Sequence, residues 1–212
     1  MNEKSSNLTG AEPSVLVIAC GALANEIIAL KEINGLAHMS ITCLPANYHN
    51  TPMKIPDALR AKIHEAKPDY DQIFIAYGDC GTGGALDRVI EEEGVERIGG
   101  AHCYAFFAGL EEFDEMHMEH PGTFYLTDFL VRHFDNLVFK GLGLDRFPEL
   151  MDTYFGNYER LMYLAQTEDE DLTKQAEAAA QRLNLDFARR FTGYGELGAV
   201  MAKLTPPVPA SI

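Results

Sequence analysis

Ser14-Val-Leu-Val-Ile-Ala19 is an unbroken apolar run of about one strand's length, and no other segment constrains the fold as strongly. A strand apolar at every position must be covered on both faces, the condition of a parallel strand between two layers of helix. Gly21 opens a turn behind it. Ala22 to Ile33 then places Leu23, Ile27 and Leu30 at helical spacing and stops near Asn34-Gly35. Met39 to Cys43 reads as a second strand, Leu44 to Pro56 as an irregular proline-rich loop, Pro56 to Ala66 as a helix, and Asp71 to Tyr77 as a third strand. The order predicts an α/β, single-domain, Rossmann-like fold: a mainly parallel sheet with helices on both faces.

The alternation continues through a glycine-rich turn at Gly78 to Gly84, a helix over Ala85 to Glu92 and a short strand over Glu96 to Gly99. Tyr104 to Phe113 and Thr127 to Phe134 read as helices separated by a loop through Pro121-Gly122, an insertion expected to roof the crevice. Strand Asn136 to Lys140, helix Pro148 to Tyr158, strand Arg160 to Leu164, helix Leu172 to Leu183 and strand Leu185 to Phe191 follow. The acidic run Thr167 to Asp171 reads as a cap on the helix behind it. With 47% hydrophobic residues among 212, there is material for one sizeable core and little for a second. The expected division is an N-terminal arm (1–13), one α/β domain (14–204) and a proline-rich tail (205–212).

A net charge of −15 opposes phosphate backbones, so a nucleic-acid or anionic-membrane partner is not expected. No run approaches the ~20 apolar residues of a membrane span, and the polar start lacks the apolar centre of a secretory signal. A cytoplasmic location follows as an expectation. In that reducing compartment cysteines serve as ligands or nucleophiles more readily than as disulfides.

Cys20, Cys43, Cys80 and Cys103 each stand at or just past the end of a run read as a strand. In a parallel sheet the crevice beyond those ends is where ligands bind, so sulfurs arriving from separate loops suggest a metal or cluster centre; small thiols also fill cores. Cys80, inside Tyr77-Gly-Asp-Cys-Gly-Thr-Gly-Gly84, has glycines on both sides that leave room for a sharp turn and a bulky ligand. Gly81, Gly83 and Gly84 offer amides to an anionic cofactor at a helix start, although without a Gly-Lys-Ser/Thr ending a tight turn is the plainer reading. Cys20 precedes Gly21 and a helix start, which favours a thiolate. Cys43, followed by Leu-Pro, reads as packing. In Ala101-His-Cys103, neighbours on extended backbone point opposite ways, which favours Cys103 as the ligand and leaves His102 as a proton carrier or a structural histidine. His49, on the irregular loop, is within reach as a ligand or general base; His117 and His120 read as solvated. The chain has no Cys-x2-Cys pair, so any centre on Cys20, Cys80 and Cys103 is assembled by the tertiary fold. Sulfur mixed with imidazole leans to zinc; the flanking glycines also make room for an iron–sulfur cluster.

At these residues the chain resembles the uncharacterised family DUF1638. The likeness runs through Ile18-Ala-Cys-Gly21, His49-Asn50 and Pro52, Tyr77-Gly-Asp-Cys-Gly81, Ala101-His102-Cys103, Pro121-Gly-Thr123, Gly141-Leu-Gly-Leu144 and Tyr154-Phe-Gly-Asn157. Other members carry a residue between that histidine and cysteine and have no cysteine matching Cys43, which supports setting Cys43 aside. Such proteins look like companions of corrinoid-dependent methyltransferases of the trimethylamine methyltransferase type, so the resemblance implies one-carbon transfer. The expectation is a metal-dependent protein whose thiolate site handles methyl groups with a corrinoid protein, folate or a thiol. The alternatives are a metallochaperone or electron-transfer accessory of a corrinoid system, and an anion-binding α/β module with structural cysteines.

Overall fold

The computed structural model describes residues 13–204. The arm and tail expected over 1–13 and 205–212 lie outside the described residues, apart from Pro13. The chain runs β1 (Val15–Cys20), α1 (Ala24–Ile33), β2 (Met39–Leu44), α2 (Ile55–Ala66), β3 (Gln72–Ala76), α3 (Ala85–Glu93), β4 (Glu96–Arg97), α4 (Ala105–Ala108), α5 (Leu110–Glu119), β5 (Thr123–Thr127), α6 (Asp128–Arg132), α7 (Met151–Phe155), β6 (Arg160–Ala165), α8 (Glu170–Leu183), β7 (Asp186–Phe191) and α9 (Gly195–Lys203). It is a mixed α/β fold whose strand pairs are all parallel.

The single continuous sheet expected from the sequence is instead two. One has the order β2-β1-β3-β4, the other β5-β6-β7. The all-apolar run behaves as its composition requires: every residue of β1 is buried, flanked by β2 (Val15 opposite Met39) and β3 (Val15 opposite Gln72). In the second sheet the core divides by strand alternation. Leu161, Tyr163 and Ala165 face α6 and α8, whereas Met162 and Leu164 face Phe113 and Met116 of α5.

Three local readings are corrected. Asn136 to Lys140 is no strand: Asp135–Phe139 forms a π-helical turn, its backbone closed locally by Leu137 N–H to His133 O (2.9 Å) and Lys140 N–H to Asp135 O (2.8 Å). Thr123–Thr127, taken for the end of a loop, is β5, paired with β6 from Thr123 opposite Arg160 onward. The helix expected over Tyr104 to Phe113 breaks at Gly109 (φ 89°), and α5 continues to Glu119 through the stretch read as loop. The acidic cap is present: Asp169 Oδ1 accepts from the amides of Asp171 (2.9 Å) and Leu172 (3.0 Å) at the start of α8. After β7 the chain crosses back. Leu197 and Met201 of α9 join the core of the first sheet, and Gly195, where a Cβ would lie 2.0 Å from Phe107 O, lets α9 meet α4.

Candidate thiolate site

All strands of the first sheet point the same way, so the chain leaves β1, β3 and β4 at one edge, and there three cysteines meet. Cys20 ends β1, Cys80 lies in the loop after β3, and Cys103 lies in the turn after β4. All three are buried free thiols. Cys80 Sγ is 3.4 Å from Cys103 Sγ, and Cys20 lines the same cavity beside them. Cys43, on β2 opposite Ala19, is half-buried and does not line the cavity above the other three.

Glycines make the approach possible. A Cβ on Gly78 would fall 2.7 Å from the backbone of His102 and Cys103, so only glycine lets the β3 loop lie against the β4 turn. The two are stitched by Asp79 N–H to Gly100 O (3.0 Å), Cys80 N–H to Ala101 O (2.7 Å) and the Gly78 amide to Cys103 Sγ (3.2 Å). Cys80 itself is left-handed (φ 48°), a backbone region that disfavours a side chain and recurs at functional sites. A Cβ on Gly21 would meet Leu44 O at 3.0 Å, so that glycine admits the turn carrying His49.

His49 and His102 both reach Cys80. The Cys103 thiol, hydrogen-bonded to Cys80 and aided by the two imidazoles against the cost of burial, holds Cys80 down at about 3. Cys20 is lowered by the same Cys103 thiol. Cys103 is driven well above the ordinary thiol value because Cys20 and Cys80 hold its proton between them. The hydrogen bond to Cys80 raises His49. The cluster thus carries its acidity unevenly, Cys80 and Cys20 below the ordinary thiol value and Cys103 above it, with an imidazole beside them. Tyr77 lies beside it, and burial next to thiolates keeps its phenol protonated.

The glycine amides have a different role from the one expected. Those of Gly83 (3.1 Å) and Gly84 (2.9 Å) donate to the Asp79 carboxylate, as does the Thr82 hydroxyl. Partial burial pushes Asp79 up, but these donors outweigh it and hold the carboxyl low. The anion at this helix start is the chain's own Asp79, which takes the amides of Gly83 and Gly84; neither these two glycines nor Gly81 lines the cavity.

That cavity, about 590 Å³, opens directly over Cys20, Cys80 and Cys103. His49 and His102 flank its floor; the second half of the chain supplies the roof, including Tyr125, Phe129, Leu130 and Leu137. The insertion expected over the crevice contributes Tyr104, Phe113, Phe129 and Leu130 to the lining, and β5 and the π turn add Tyr125 and Leu137. Tyr125 escapes the sequence reading because β5 is taken there for loop, and Leu137 because the π turn is taken for a strand. The signal for β5 is Thr123-Phe-Tyr-Leu-Thr127, β-branched and aromatic residues between Gly122 and a helix start. Exposed His117 lines the cavity; His120, also exposed, does not. Among the described residues no group of three or more His, Cys, Asp or Glu side chains is arranged to hold a metal ion. No helix among them is long and apolar enough to cross a membrane.

Fold and site define a parallel α/β protein with a thiol-floored cavity between two sheets. The chain belongs to the family described as protein of unknown function, DUF1638, whose family model matches residues 43–201. Cys80 and Cys103 fall inside the matched span and Cys20 precedes it. No curated protein and no solved structure matches the chain.

Proposed function

We propose that Cys20, Cys80 and Cys103 form a soft-metal thiolate centre, zinc before an iron–sulfur cluster, that acts on a small molecule in the cavity above it. The observation that carries this is the meeting of three sulfurs from three separate strand ends with two imidazoles, held by a glycine and a left-handed cysteine. The donor set suits zinc. The Cys80–Cys103 spacing of 3.4 Å is within a few tenths of the ~3.8 Å edge of a tetrahedron with Zn–S of ~2.3 Å, so loading requires a small spreading of the sulfurs and release of the Cys103 proton. Bound metal would supply a stabilised, nucleophilic thiolate. His49 or His102 completes the centre or moves the substrate's proton. One-carbon transfer with a corrinoid protein, folate or a thiol is the chemistry that the family resemblance adds to this site. We further read residues 14–204 as one Rossmann-like unit, because α9 returns to the first sheet's core, and place it in the cytoplasm, where thiols stay reduced.

Anaerobic purification followed by elemental analysis and an ultraviolet-visible spectrum tests the centre. A colourless protein with about one zinc per chain is expected; broad visible absorption would select the cluster. Protein that takes up neither metal on reconstitution would end the proposal. Transfer of a methyl group from a methylated corrinoid protein to a thiol, catalysed by the metal-replete chain, tests the reaction.

A further inference from the structure

The cavity's walls specify more than its floor. From the edge of the thiol cluster an aromatic wall runs outward: His102 stacks on Tyr104 (4.8 Å, 10°) and Tyr104 on Tyr125 (5.5 Å, 19°). Phe113 follows at 4.8 Å from Tyr125, with His117 stacked 6.2 Å beyond it. Such surfaces favour a flat ring by dispersion and by their quadrupoles. Among the described residues no Arg or Lys lines the cavity, whereas Asp114 and the thiols do. An anionic ligand would meet repulsion and find no Arg or Lys to pair with.

We propose that the cavity takes a flat, ring-bearing small molecule with no anionic group on the ring, packed against the His102–Tyr104–Tyr125 wall. This rests on the reading of the cavity as the substrate chamber of the thiolate centre. It narrows the substrate class from any small molecule to neutral or cationic heteroaromatics.

The test is calorimetric titration of the metal-free chain with three probes of one shape: quinoline, 1-methylquinolinium and quinoline-4-carboxylate. Quinoline should bind at least about tenfold more tightly than the carboxylate, which meets Asp114 and finds no Arg or Lys in the lining. Asp114→Lys, a change at an exposed position, should narrow the gap between quinoline and the carboxylate. Carboxylate binding as tight as quinoline, or no binding of any ring, would overturn the inference. Repeating the titration on Cys80→Ser separates the two readings: metal content reports on the thiolate centre, quinoline affinity on the cavity alone.

Discussion

Cys80 Sγ and Cys103 Sγ lie 3.4 Å apart although 23 positions separate them in the chain. The contact depends on Gly78, whose missing Cβ lets two loop backbones touch. Gly78→Ala should push the loops apart, lower the urea midpoint by an amount equivalent to about 1–3 kcal/mol and reduce metal uptake. Gly83→Ala is the control: a Cβ there meets nothing within 4 Å but must adopt φ +61°. It should cost about 1–2 kcal/mol and leave metal uptake intact. Equal loss of metal in both variants would mean that loop strain, rather than the Gly78 contact, governs the site.

Replacing Cys20, Cys80 or Cys103 by Ser should strip metal and any methyl-transfer activity together, since each removes one of only three soft ligands. Cys43→Ser, outside the cavity, should keep its metal and lose only about 1 kcal/mol of stability. Elemental analysis of the four variants decides; metal retained by all four would leave the thiolate centre without support.

Thiol reactivity should follow the proton distribution in the metal-free protein. Cys80, held at about 3 by the Cys103 thiol, is ionised across the neutral range, so its alkylation by iodoacetamide should vary little between about pH 5 and pH 8. Cys43, raised by burial, should be alkylated faster as pH climbs. Peptide mass spectrometry resolves the two sites; a Cys80 rate rising about tenfold per pH unit over that range would show an ordinary thiol.

Glu26 is 4% exposed with Oε2 unpartnered, and burial, with Asp128 nearby, raises its pKa while its own backbone amide and Arg132 oppose the shift. The folded state therefore binds this proton more tightly than the unfolded chain, so stability is lost as pH rises through the raised value. Glu26→Gln should stabilise the protein by about 1 kcal/mol at pH 8 and by less at pH 5. Urea unfolding at the two pH values checks the sign, which would be reversed if Glu26 were ionised and paired in the native state.

The sequence by itself determined the elements whose environment is written in their own pattern. The unbroken apolar run of β1 could only be a covered central strand, and the acidic run Thr167 to Asp171 before the α8 pattern reads most simply as its cap, which Asp169 supplies. It also brought Cys20, Cys80 and Cys103 to one place, because parallel strands end at a common edge whatever their order, and it set Cys43 apart. Only the tertiary structure decided that there are two sheets, that β5 finds its hydrogen bonds with a strand beginning at Arg160, and that roof residues such as Tyr125 and Leu137 close a cavity over the thiols. It decided too that Asp79 takes the amides of Gly83 and Gly84. A local pattern records how deeply a segment is buried and where it turns. Which backbone or side chain satisfies a given polar group depends on partners tens of residues away, and that choice is made only when the whole chain packs.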